Sequence, residues 1–87
     1  MNQTEEAERY YRKALKIWRR LAQFNFSAFG PGVATICRNL GIFEMQRGLQ
    51  DSAKQYFEEA LSIYEQFPHL VQDAQYCRDA LIELQDA

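Results

Sequence analysis

Residues 7–17 read AERYYRKALKI, and residues 53–63 read AKQYFEEALSI. Ala, Tyr, a second aromatic, Ala, Leu and Ile coincide at a shift of 46 positions. In both copies the shared apolar residues recur every three or four positions, which lines them up on one stripe of a helix. A second echo pairs Cys37-Arg38-Asn39-Leu40 with Cys77-Arg78-Asp79-Ala80 at a shift of 40. The two shifts differ by six, so the first inter-helix connection is read as about six residues longer than the second. Helices of two types therefore alternate along the chain.

Working outward, the stripes are Ala7, Tyr11, Ala14, Leu15, Trp18 and Ala22, then Val33, Ile36, Cys37, Leu40 and Phe43. They continue as Ala53, Phe57, Ala60, Leu61 and Tyr64, then Leu70, Ala74, Cys77, Leu81 and Leu84. No segment alternates as a half-buried strand does. The spacing predicts four helices, over about 4–23, 32–47, 51–66 and 69–85, in a single all-α domain over 1–87. Gly48 suits a left-handed helix end, Asp51 or Ser52 an N-cap, and Phe67-Pro68 a break. Asn25 to Gly32, with its Gly-Pro-Gly, reads as an irregular loop pinned to the helices by Phe26 or Phe29.

The 87 residues are 47% hydrophobic and 25% charged, with only four Gly and two Pro. That composition excludes a disordered tail, a collagen-like fibre and a flexible linker. No stretch approaches the roughly 18–20 apolar residues of a membrane span, and residues 1–20 lack the apolar run of a secretory signal. Cys37 and Cys77 sit on apolar stripes outside any CxxC context, and we read them as buried free thiols of a cytoplasmic protein. A Cys37–Cys77 bridge is the alternative.

Catalytic constellations are missing from the pattern. His69 is the one histidine, beside a proline at a helix start. There is no Gly-rich phosphate loop, HExxH pair or nucleophile elbow. Glu5-Glu6 and Glu58-Glu59 are consecutive helical positions that diverge in direction. We expect no enzyme activity, no metal and no cofactor. A net charge of −2 argues against nucleic acid and anionic membranes as partners. The charge is unevenly spread: residues 1–20 carry six basic and three acidic side chains, residues 21–87 four basic and nine acidic. A basic front and an acidic remainder suit self-association through end faces.

Leu40-Gly41, followed by Ala53-x3-Phe57-x2-Ala60, resembles the signature of the tetratricopeptide repeat, with small residues where paired helices nearly touch. The long period resembles the kinesin-light-chain-like and bacterial type. Only residues 33–66 form a complete repeat. Cys37 and Glu44 stand where the signature often has Trp and Tyr, and Ala80-Leu81 replaces the Leu-Gly pair in the last helix.

The resemblance implies a stack of antiparallel helical hairpins, an α-solenoid, that binds a peptide or protein segment in a groove. Its groove-facing positions map to Thr35, Arg38, Asn39, Ile42 and Met45 on the second helix. On the fourth they map to Gln75 and Arg78, with Asp79 and Ile82 beside them. Arg38 and Arg78 share one position, so two guanidinium forks could hold a carboxylate, or each could pair with a neighbouring acid. Ile42 and Ile82 occupy positions where the family's carboxylate clamp needs asparagine, which implies a more apolar groove. The alternative is a structural fragment or capping end of a longer array that self-associates through its end faces.

Overall fold

The computed structural model describes residues 3–86, apart from the side chain of Thr4. Four helices follow one another: α1 (Gln3–Phe24), α2 (Phe26–Gln46), α3 (Gln50–Tyr64) and α4 (Val71–Asp86). A single 3₁₀ turn, Pro68–Leu70, precedes α4. No strand occurs among the described residues. The fold is an all-α set of antiparallel hairpins, as the periodicity implies.

The segment from Asn25 to Gly32 corrects the expectation of a loop. Only Asn25 separates α1 from α2, and the six extra residues become helix. Asn25 makes this possible by accepting the Ala28 N–H on its side-chain oxygen at 3.1 Å, an N-cap. Pro31 then lies inside α2, where it forgoes one helical hydrogen bond. The residue before a proline normally resists helical geometry because its β-carbon meets the ring; Gly30 has none. Both flanking phenylalanines pin the segment: Phe29 lies edge-on to Trp18 at 5.8 Å, and Phe26 packs on Phe67 at 5.6 Å between centroids.

At the other end of α2, Gly48 takes φ +76. Its N–H reaches the Met45 carbonyl at 3.1 Å and that of Leu49 reaches Glu44 at 2.9 Å, the two bonds of a Schellman ending. The tight turn starts α3 at Gln50, so Leu49 is the cap residue, without a side-chain cap bond, rather than Asp51 or Ser52.

Packing runs mainly between helices adjacent in sequence, which gives a slab of 33 × 31 × 17 Å. The interior is centred on α2 and α3, where Ala34, Cys37, Leu40, Ala53, Phe57 and Ala60 are fully buried. Burying Phe57 alone contributes about 1.5–3 kcal/mol. From α4 the core receives Ala74, Cys77 and Ala80, and from α1 Leu15.

Candidate functional site

The positions that the resemblance marks lie on α2 and α4, and Arg38 joins the two helices. Arg38 Nη1 donates to Asp73 Oδ1 at 3.1 Å, and its guanidinium lies 5.6 Å from the Tyr76 ring centre. One side chain thus bridges the two helices by an ion pair and a cation–π contact. Thr35 Oγ1 donates to the Pro31 carbonyl at 3.1 Å, which leaves the Tyr64 hydroxyl to donate to Thr35 at 2.8 Å. Thr35 is therefore engaged within the fold. Asn39, Ile42 and Met45 are half-buried, and the last two pack on the core.

On α4, Gln75 donates to Asp79 at 2.9 Å. Arg78 Nη2 donates to Glu65 Oε2 at 3.0 Å, and Ile82 is exposed. Arg38 and Arg78 each hold an acid of their own, Asp73 and Glu65, instead of presenting two open forks. The two pairs differ in solvation. Arg38 is 25% exposed, whereas Arg78 and Glu65 are 41% and 48% exposed. A pair that wet is worth about 0–1 kcal/mol. Beside Arg78 lies a cavity of about 220 Å³ lined by Tyr64, Phe67, Pro68, Val71 and Ala74. Sequence reasoning missed this apolar pocket. Its signal was the unused hydrophobics Phe67 and Val71 flanking the proline.

A second polar cluster knits α1 to α2 and α3. Arg47 donates to both oxygens of Glu8, at 2.8 and 3.1 Å. Arg12 reaches Glu8 at 3.3 Å, the Tyr56 hydroxyl at 3.3 Å and Glu44 Oε1. Glu44 is 1% exposed, and its Oε2 finds no hydrogen-bond partner among the described residues. Burial, with the Glu8 carboxylate close by, pushes the Glu44 carboxyl above its usual range against the pull of Arg12 and Arg47. Burial also pushes Glu8 up, but Glu44 and Arg12 beside it, with the charge of Arg47, bring it net below. The sequence signal for this cluster was Glu44 standing where the signature often has Tyr, because a buried charge demands partners. Further along α1, Arg19 forks onto Glu59 at 2.6 and 3.2 Å.

A groove of about 400 Å³ opens between α1 and the first half of α2, lined by Tyr10, Tyr11, Ala14, Trp18, Pro31, Gly32, Thr35 and Ile36. Tyr10 in this lining is 69% exposed, and Ile17 on the same helix 58%.

Cys37 and Cys77 are free and fully buried. Burial pushes the Cys37 thiol to about 12 and the Cys77 thiol to about 11, so neither forms an appreciable thiolate near neutrality. Among the described residues no group of His, Cys, Asp and Glu is arranged to hold a metal. No helix there is long and apolar enough to cross a membrane.

No curated protein and no solved structure matches the chain significantly. The family model of the tetratricopeptide repeat matches residues 1–66, from α1 through α3. With Gly41 against Phe57, Ala53 and Ala60 buried beside it, and the hairpin repeated at a shift of 46, the chain belongs to the tetratricopeptide repeat family.

Proposed function

We propose that the chain is a non-catalytic interaction module of the cytoplasm that holds a peptide or protein segment along its α2–α4 groove. One observation supports this reading at its α4 end: Arg78, in a wet pair with Glu65, helps line an apolar cavity between the end of α3 and the start of α4, together with Phe67, Pro68 and Val71. A carboxylate with an apolar side chain next to it fits that combination of fork and floor. Arg38 sets the spacing of the groove by bridging to Asp73 and Tyr76, while Asn39, Ile42 and Met45 line its α2 wall and Gln75 its α4 wall. Net acidity argues against nucleic acid as the partner.

A peptide-display library selected on the immobilised chain tests the reading. Enriched peptides carry an acidic group next to an apolar residue, and they bind an Arg78→Ala variant at least about tenfold more weakly. Selected peptides that bind this variant as well as the parent overturn it.

The second reading, association of the chain with itself through an end face, is favoured by a different observation. Tyr10, which lines the apolar groove between α1 and α2, and Ile17 on the same helix stand largely exposed.

A further inference from the structure

Two carboxyl groups meet on one nitrogen inside the fold. Arg12 Nη2 reaches Glu8 Oε1 at 3.3 Å and also Glu44 Oε1. Both acids are buried, Glu8 at 7% exposure and Glu44 at 1%. Two ionised carboxylates this close, and away from water, repel one another, which favours a proton on one of them.

Their surroundings decide which one. Glu8 gives both of its oxygens to Arg47, at 3.1 and 2.8 Å, besides its bond from Arg12. Three charge-assisted bonds keep it the anion. Glu44 has Arg12 on Oε1 alone, and its Oε2 is sealed from solvent without a donor among the described residues. An ionised oxygen there would be a desolvated charge with nothing to satisfy it. Protonated, the same oxygen becomes a donor, and the Glu8 carboxylate lies within its reach. Glu44 also stands in the last turn of α2, where the unpaired carbonyls disfavour negative charge.

No other charge nearby changes that choice. The charged and titratable groups around Glu44 are Glu8, Arg12 and Arg19 from α1, Arg47 from the end of α2, and Tyr56 and Glu59 from α3. Arg19 and Glu59 hold each other, and the Tyr56 hydroxyl accepts from Arg12. None of the three arginines reaches Glu44 Oε2.

We propose that a proton on Glu44 Oε2, held against Glu8, is a latch that fastens α1 to α2, and that its release to solvent as pH rises loosens α1 ahead of α3. The two acids face each other across the α1–α2 seam, and α1 is an end helix packed chiefly on α2. Ionising Glu44 therefore sets like charges against the contact that holds α1 in place. The sign follows from Glu44 being raised from 4.5: the latch is closed below that value and opens as pH rises through the folded pKa. Glu8, lowered from 4.5, changes its charge only on the acid side and leaves this range alone.

The test pairs NMR of the glutamate carboxyl carbons with hydrogen exchange read helix by helix. In the parent the Glu44 carbon titrates above 4.5 and the Glu8 carbon below it. Glu8→Gln brings the Glu44 titration down. From about pH 5 to about pH 8, the protection factors of α1 fall relative to those of α3, by up to about tenfold per pH unit. In Glu44→Gln, with helicity checked by circular dichroism, they stay level. A Glu44 carbon that titrates at or below 4.5, or one unmoved by Glu8→Gln, overturns the placement of the proton. Protection of α1 that keeps pace with α3 across the range, or falls equally in Glu44→Gln, overturns the latch. The titrations of the parent and of Glu8→Gln decide the first point even if Glu44→Gln fails to fold.

Discussion

Gly41 on α2 faces the ring of Phe57 on α3 so closely that a β-carbon there would lie 3.0 Å from two of its ring carbons. Phe57 is fully buried and cannot swing away. Gly41→Leu therefore overpacks this close helix approach and costs about 1–3 kcal/mol or more. Thermal denaturation followed by circular dichroism should show a fall in Tm of about 4–8 °C for each kcal/mol. A variant that melts within a degree of the parent would mean that this approach is not close.

Gly32 poses the same problem against a different neighbour. A β-carbon there would lie 2.4 and 2.5 Å from carbons of the Trp18 ring, but Trp18 is only half-buried and borders an open groove. Gly32→Ala is expected to displace the indole more than it destabilises the fold. As Trp18 is the single tryptophan, the change reads out as a red shift in emission with a stability loss smaller than that of Gly41→Leu. An unchanged spectrum would overturn the contact.

Phe57→Ala removes the largest side chain between α2 and α3 apart from Tyr64. The expected loss is about 3–5 kcal/mol, enough to unfold a domain of this size. Urea titration is the check: a midpoint close to that of the parent would contradict the placement of Phe57.

The Glu8–Glu44 pair gives stability a pH dependence of two signs. Glu8, lowered in the fold from 4.5, contributes stability above that value and loses it as pH falls through its folded pKa. Glu44, raised from 4.5, contributes below that value and becomes a cost as pH rises through its folded pKa. Glu44→Gln keeps the shape and removes the second effect, so it should gain on the parent at neutral pH, with the gap closing as pH drops below 4.5. Glu44→Ala instead leaves Arg12 short of an acceptor and costs about 1–3 kcal/mol at neutral pH. Denaturation of the three proteins at several pH values checks this; a stability difference between the parent and Glu44→Gln that stays constant with pH would refute it.

Thiol reagents should leave the folded chain alone. With the Cys37 and Cys77 thiols at about 12 and about 11 and both side chains buried, labelling must wait for unfolding. Labelling of both cysteines should speed up with added urea in step with the unfolding transition. Rapid labelling of either in native buffer would overturn their burial.

The repeat was legible because it rests on side-chain size: Leu40-Gly41, Ala53, Phe57 and Ala60 mark where α2 and α3 approach. The segment Phe26–Gly32 was not legible, since Gly and Pro usually stop helices. Here they continue one, because Gly30 relieves the clash of Pro31 and Asn25 caps the start. The pairing of the arginines on α2 and α4 was not legible. Nothing in the spacing tells Arg38 to choose Asp73, or Arg78 to choose Glu65, because both acids arrive from other parts of the chain. Likewise the departure of Glu44 from the signature's Tyr names neither its burial nor Glu8, Arg12 and Arg47, which converge only once α1 lies across α2.

A slab 17 Å thick is scarcely two helices deep, so every helix is a surface helix and none is enclosed by the rest. The chain has no inner keep whose loss brings everything down at once. Opening proceeds from the edges: α4, held chiefly by α3, can lift away while α2 and α3 stay joined through Gly41 and Phe57. Amide protons of α4 should accordingly exchange with solvent well before those of α2 and α3. The last to survive would be the Leu40–Phe57 seam, the same few residues in which the repeat is written.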